Sequence, residues 1–111
     1  MTKPRSRTTP ALLEEITARD PAHVAIIDGA RQWSYRALCE DVRRCACALL
    51  ASGIGHGDRV GILAGNRAEW LIADFASMSL GAVAVGLNTW ASARELAYQL
   101  QHAEVKVLFL E

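Results

Sequence analysis

Apolar positions along the chain change period repeatedly, and each change marks an element. Leu12, Leu13 and Ile16 recur at helical spacing behind Thr9-Pro10. Proline suits the first turn of a helix and threonine can cap it, so a short helix opens there and stops near Asp20-Pro21. Val24 to Ile27 and Gln32 to Ser34 are β-prone runs around Asp28-Gly29, the pattern of a hairpin. From Ser34 the spacing turns helical again. Tyr35, Leu38, Cys39, Val42, Ala46 and Leu49 share one face, and Arg36, Glu40, Arg43, Arg44 and Cys47 line the other. This predicts an amphipathic helix to about Ala51, ended by Gly53, with Glu40 and Arg44 as a favourable pair.

Beyond Arg59 the pattern alternates strand and helix. Val60 to Ala64 is a short apolar run, followed by Gly65-Asn66. Asn66 with Glu69 three residues later resembles a capping box, so a helix is expected from Arg67 to Ser79. It is apolar nearly all round, with a narrow polar stripe of Arg67, Asp74 and Ser77, which predicts burial on most sides. Gly81 ends it and Ala82 to Leu87 reads as a second strand. Ser92 with Glu95 is a cleaner capping box, opening a helix through Leu96, Leu100 and His102. Val105 to Leu110 is a continuous apolar run of the kind found inside parallel sheets. Such alternation implies βαβ units with right-handed crossovers, so the fold class is α/β: a hairpin plus a small, mainly parallel sheet.

Composition narrows the function classes. The 111 residues suffice for one modest core, and 51% apolar with 22% charged residues is the balance of a globular chain. Twelve basic residues offset twelve acidic ones, so no global field favours nucleic acid or an anionic membrane. The longest uncharged apolar run, Phe75 to Leu87, falls short of the ~18 residues that span a bilayer. The basic, Ser/Thr-rich start could open a transit peptide, but it is read as a flexible tail over residues 1–11. Three cysteines with no pairing framework point to a reducing, cytoplasmic setting.

Candidate chemistry is thin. In Gly53 to Asp58 (GIGHGD) three glycines alternate as in phosphate-cradling loops, but there a helix precedes and a strand follows. A phosphate loop needs the reverse order, so these glycines are expected to end one helix and turn the chain into Val60. Ala64-Gly65-Asn66 has the right order, yet one glycine and a capping asparagine need no ligand. Cys45 and Cys47 diverge by about 200° around a helix, and His23, His56 and His102 lie in separate elements. Cys39 is read as core filler and Cys47 as an incidental exposed thiol. Trp33, Trp70 and Trp90 are read as core or rim aromatics. Catalytic, cofactor-binding and metal residues are therefore assigned to none of these positions.

The order of the motifs carries more than any single one. Ser34-Tyr35, Gly57-Asp58-Arg59-Val60, Asn66, Gly81-Ala82-Val83, Leu87-Asn88 and Glu95-Leu96 follow one another at spacing that resembles the amino-terminal portion of AMP-forming acyl-CoA synthetases, the adenylate-forming ligases. The likeness begins near Leu12, and Asp28-Gly29 fits the family's opening hairpin. Gly65 and Gly86 depart from it, standing where family members often carry proline. The resemblance implies ATP, Mg²⁺ and CoA for a complete enzyme, a carboxylic acid substrate, and a place in metabolism such as that of fatty acids. The family's phosphate loop, adenine and ribose motifs and carboxy-terminal lysine have no counterpart here, so no catalytic residue carries over.

Residues 12–111 are thus expected to be part of the amino-terminal domain of such a ligase, inert alone and partnered by the ligase remainder. The alternative is a free-standing, non-catalytic α/β nucleotide-binding or interaction module. Neither reading includes nucleic acid or a membrane span. If strand order followed the chain, both crossover helices would share a face, leaving apolar strands open; self-association of the isolated chain is the expectation.

Overall fold

Short polar side chains fix most helix starts in this protein, and one distant carboxylate fixes the remaining one. The computed structural model of the protein describes residues 3–111, so the first two residues of the expected tail lie outside the described residues. Helix α1 (Thr9–Arg19) is capped by Thr8, whose Oγ1 accepts from the Ala11 N–H at 3.3 Å. The cap lies one residue before the expected Thr9, and Pro10 sits within the first turn, where a missing N–H costs nothing. Ahead of α1, the Glu15 carboxylate accepts from the Arg5 and Ser6 N–H groups and, at 2.8 Å, from the Ser6 hydroxyl.

Strands β1 (Val24–Asp28) and β2 (Arg31–Ser34) form the expected antiparallel hairpin. Asp28 lies opposite Arg31, so the loop is the two residues Gly29 and Ala30, with Gly29 at φ +61°. Helix α2 (Tyr35–Ala51) starts as its sequence predicts, the Ser34 hydroxyl accepting from the Ala37 N–H at 3.1 Å. Leu38, Cys39, Val42 and Leu49 are buried on its inner face. Arg44 makes its direct contact with Asp41, whose carboxylate also accepts from the Trp33 indole at 2.9 Å, while Glu40 acts on Arg44 as a weaker favourable charge. Asp41 is already held in place by the hairpin, which makes it the better-ordered partner.

The parallel sheet comprises β3 (Arg59–Leu63), β4 (Val83–Gly86) and β5 (Val105–Leu110), joined through α3 (Ala68–Ser79) and α4 (Ala93–His102). The Ser92 hydroxyl caps α4 by accepting from the Glu95 N–H at 3.2 Å. Strand order is β4-β3-β5, not the order of the chain. The chain steps from β3 to β4 and then back across β3 to β5. Two right-handed crossovers in opposite directions put α3 and α4 on opposite faces, which corrects the expectation of a shared face.

The α3 face is the thick side. There α1, α2 and the hairpin join α3 over Val60, and Val107 and Phe109 pack against the same cluster. Leu13, Leu38, Leu49 and Ile54 fill it, each buried side chain contributing about 1.5–3 kcal/mol. Ser77, read from sequence as part of a polar stripe, is wholly buried and donates to the Ala73 carbonyl at 2.8 Å. A hydroxyl that bonds back into its own helix brings no unmet polar group into the core. The α4 face is thin: α4 buries no residue, while Leu108 and Leu110 are exposed. β5 is consequently one-sided and lies at an edge, unlike the interior strand its apolar run suggests.

GIGHGD behaves as the turn it was expected to be. Gly53 and Gly57 take φ +85° and +81°, and the Asp58 carboxylate closes the loop by accepting from the Gly55 N–H at 2.8 Å. The Gly57 N–H donates to the Gly81 carbonyl at 2.9 Å, joining this turn to the end of α3. Gly81 has φ +71°, and a Cβ there would lie 2.5 Å from His56 Nδ1. Gly81→Ala is therefore expected to lower the unfolding free energy by about 2–3 kcal/mol in a urea titration. Adding His56→Ala should recover the clash but not the left-handed strain; full recovery would show that the backbone angle carries no cost.

Candidate functional site

Ligands of open α/β sheets bind outside the carboxyl ends of the strands, at the point where strand order reverses. Here that point is the end of β3, because the loop after β3 enters α3 on one face and the loop after β4 leads to α4 on the other. Ala64 to Arg67 form the first loop, and Trp70 stands above it one turn into α3. A Cβ on Gly86, at the end of β4, would meet Trp70 Cζ2 at 3.2 Å, so the indole lies close against that strand. A cavity of about 380 Å³ opens beside it, between Ile62, Trp70 and Phe109, with Arg67, Glu69 and Glu111 at its rim. A second, of about 290 Å³, lies on the hairpin side of Arg67 and Trp70, against Ile26, Ile27 and Leu71.

The start of α3 is not the capping box of the sequence reading. Asn66 is exposed and the N-cap position is Arg67, whose own side chain makes no cap. Asp28, at the hairpin turn, performs that role: its Oδ2 accepts from the Ala68 N–H at 3.1 Å. The donation by Ala68, followed by the adjacent Arg31, holds the Asp28 carboxyl below its ordinary range. Around this contact runs a ring of charge. Arg31 donates to Asp28 Oδ2 and Glu69 Oε1, both at 2.6 Å, and Arg67 donates to Glu69 at 3.2 Å and Glu111 at 2.8 Å. Glu111 also accepts from the Gly65 N–H at 3.4 Å, pinning the loop from the far side.

Glu69 sits between two guanidiniums. Arg31 first and Arg67 second hold its carboxyl down, from 4.5 to about 2. The anion-seeking end of α3 is thus occupied by the protein's own carboxylates, a favourable arrangement with the helix dipole. Asp28 takes the Ala68 amide and Glu111 the Gly65 amide, so the loop is tied to the hairpin on one side and to the end of β5 on the other.

The other sequence candidates are scattered. His23 lies 3.6 Å from Asp20 and stacks on Tyr35; His56 sits against Gly81; His102 stacks on Tyr98. Cys39 is buried, Cys45 half-buried and Cys47 exposed, as free thiols. Burial pushes the Cys45 thiol up, away from the reactive thiolate. Among the described residues no group of three or more His, Cys, Asp or Glu side chains converges as a metal site. Trp33 is held by Asp41 beneath Arg31, whose guanidinium carbon lies 4.9 Å from its ring centre, while Trp90 is almost fully exposed. Sequence reasoning missed the Asp28–Arg31–Glu69–Arg67–Glu111 ring, since its members are as far as 83 positions apart in the sequence (111 − 28). The one available signal was the Asp-Gly turn itself, which promised an exposed carboxylate without saying what it would face.

Two outcomes test this ring. Glu69→Gln removes a group whose folded value lies below its unfolded value, so its stabilisation exists above pH 4.5 and is lost as pH falls through about 2. The urea midpoint of the parent chain should therefore drop more steeply across that window than that of Glu69→Gln; parallel curves would mean the ring is inert. Asp28→Ala should lower the midpoint at neutral pH, and Asp28→Asn, which keeps an acceptor for Ala68, should lower it less.

Comparison with known proteins places this architecture. The model of the AMP-binding enzyme family matches residues 13–111. The acyl-CoA ligase sidI of Aspergillus fumigatus is 44% identical over 82 residues, covering 74% of this chain and 14% of its own length. The long-chain-fatty-acid–CoA ligase FadD15 of Mycobacterium bovis is 36% identical over 107 residues, covering 91% of this chain and 18% of its own. The chain thus spans under a fifth of the length of these relatives. The N-terminal domain of FACL13 from Mycobacterium tuberculosis superimposes with a TM-score of 0.88 at 30% identity, over 93% of this chain and 27% of that one. Sequence pattern, sheet topology and these likenesses agree, and the chain belongs to the AMP-binding enzyme family.

Proposed function

We propose that residues 12–111 serve as the opening part of the amino-terminal domain of an AMP-forming acid:CoA ligase and supply scaffold, not catalytic groups. In that reaction a carboxylate oxygen attacks the α-phosphorus of ATP, pyrophosphate leaves, and a thiol such as CoA then displaces AMP from the acyl-adenylate. The observation that carries the reading is the family match over residues 13–111 joined to the β4-β3-β5 parallel sheet. One relative is named for long-chain fatty acids and another for 2-succinylbenzoate, so the names share a carboxylic acid and CoA and favour no single acid. The free thiols suit a reducing compartment such as the cytoplasm.

The described residues do not fit ATP, Mg²⁺ or CoA by themselves. Triphosphate calls for clustered backbone amides, a lysine and a metal-binding carboxylate at one place. Here the α3 amide is taken by Asp28, and Lys106 is spent on the Gly53 carbonyl and Asp58 at the opposite end of the sheet. No step of the reaction is routed through a group held on this chain. Its contribution is to set the position of the β3 and β5 carboxyl ends, which the Arg67–Glu111 pair locks together at 2.8 Å.

An ATP–pyrophosphate exchange assay tests the reading from both sides. The 111-residue chain alone is expected to give no exchange above the blank with any carboxylic acid. A sidI-type ligase whose matching segment is replaced by residues 13–111 should exchange at a rate within about tenfold of its parent. Exchange by the isolated chain would overturn the scaffold assignment; a folded but silent chimera would overturn the placement within a ligase.

A further inference from the structure

Beside α1 lies a cavity of about 330 Å³ that the ligase reading leaves unused. It opens between α1, α2 and Ser79, the last residue of α3, and every residue lining it falls between Thr8 and Ser79. Its shape thus owes nothing to the sheet edges or to Glu111. Leu13, Val42 and Ala46 give it an apolar wall, with Cys39 beside them. The Cys39 thiol is covered from α1, its Sγ lying 3.4 Å from Thr17 Oγ1. Helix α1 itself is lightly seated. Leu13 is its one buried residue, and a smaller cavity of about 190 Å³ lies on the other side of that leucine, against Tyr35 and Phe75. The rim of the larger cavity carries a cation with donors to spare. Arg43 makes no hydrogen bond among the described residues, and its ion pair with Glu14, at 3.6 Å, joins side chains 67% and 66% exposed. Arg67, which borders the cavities beside Trp70, is by contrast spent on Glu69 and Glu111.

We propose that this cavity binds a linear alkanoate of about eight carbons, the carboxylate on Arg43 and the chain along Leu13, Val42 and Ala46. An apolar wall ending at one guanidinium matches an anion that trails a hydrocarbon, and a planar guanidinium holds a carboxylate through two parallel bonds. At roughly 30 Å³ for each non-hydrogen atom the space takes about eleven, the size of octanoate. Glu14, two-thirds exposed, loses little when it yields Arg43 to a carboxylate whose chain is buried. A bound chain also gives α1 apolar contacts that Leu13 alone does not supply, so occupation and the seating of α1 are linked. The site is distinct from the loop at the strand ends, since Ala68 opens α3 and Ser79 closes it, about 17 Å apart. No bond is made or broken in the cavity; the alkanoate is held, not activated.

The inference is independent of the ligase reading, because its test uses no nucleotide and no thiol acceptor. Calorimetric titration of the 111-residue chain with octanoate is expected to give one site with a Kd below about 1 mM, at least about tenfold tighter than for octanamide. Two substitutions at the rim move that constant in opposite directions. Arg43→Gln should weaken octanoate about tenfold and bring it level with octanamide, whereas Glu14→Gln, which removes the competing carboxylate, should tighten it about twofold. Ala46→Leu and Ala11→Leu fill the space from opposite walls, and each is expected to weaken binding at least about tenfold, with a cooperative urea transition showing that the variant folds. Alkylation of Cys39 in a Cys45→Ser/Cys47→Ser background reads the site directly, and saturating octanoate should slow it by about fivefold or more. No binding up to about 10 mM, equal affinity for acid and amide, weaker binding in Glu14→Gln, undiminished binding in a folded filled variant, or an unprotected Cys39 would each overturn the proposal.

Discussion

The carboxylate of Asp28 ties the hairpin to the first amide of α3 and so to the parallel-sheet half of this fold. The β1–β2 hairpin and the parallel sheet share no hydrogen-bonded strand, so nothing in the ladders fixes their relative position. Beside the shared apolar cluster, the polar link is the first amide of α3, which its own cap residue Arg67 leaves without a side-chain acceptor. The hairpin turn supplies that acceptor, and Arg31, locked to Asp28 across the turn, reaches on to Glu69. Trp33, directly below Arg31, is meanwhile fastened to α2 through Asp41. A four-residue strand thus anchors to two helices by polar contacts, while Ile26 and Trp33 fill the space between. Exposed ion pairs contribute little one at a time. Their role here is to give an apolar cluster one arrangement among several of similar packing quality.

The same logic extends to the other side of α3. Arg67 is the hinge of the ring, donating to Glu69 on its own helix and to Glu111 beyond β5. The loop between β3 and α3 is therefore held at both ends, by the hairpin and by the strand that lies beside β3. A loop at the carboxyl end of a parallel strand is where this class of fold places its ligands. Holding that loop in place is the structural service that the proposed scaffold reading assigns to this segment. The apolar cavities flanking Trp70 are shaped by the same clamp.

Local rules made most elements legible in the sequence. Ser34 and Ser92 cap the helices they were expected to cap, the inner face of α2 is buried as its period demands, and β5 runs over the residues its apolar run marks. Misreadings arose where a local signal competed with a distant partner. Asn66 had the right spacing for a cap, but the acceptor for the Ala68 amide is Asp28, forty positions before Ala68 in the sequence (68 − 28). Glu40 has the right spacing for Arg44 and adds a favourable charge, but the direct contact goes to Asp41, which is also bonded to Trp33 of the hairpin. Ser77 looked solvent-facing because its type is polar, although a hydroxyl bonded to its own helix is apolar in effect. Strand order was beyond periodicity altogether, since every strand of a parallel sheet presents a similar pattern wherever it sits.

The two glycines that depart from the family's pattern fit this picture of closure. Gly65 gives its N–H to Glu111, a bond that proline in that place would delete along with part of the hold on the loop. Gly86 leaves room for Trp70, and any Cβ there would press the indole at 3.2 Å. Gly61, in the central strand, is tighter still, since a Cβ would meet Val105 at 3.0 Å and Leu108 at 3.1 Å. Gly61 and Gly86, in neighbouring strands, therefore let side chains approach where a Cβ would press them apart. On the α4 face Val105 and Leu108 settle over Gly61, filling the space a side chain there would take. Leu110, one position beyond Phe109 and past the reach of Gly61, has no such seat, and with α4 burying no residue it stays 70% exposed.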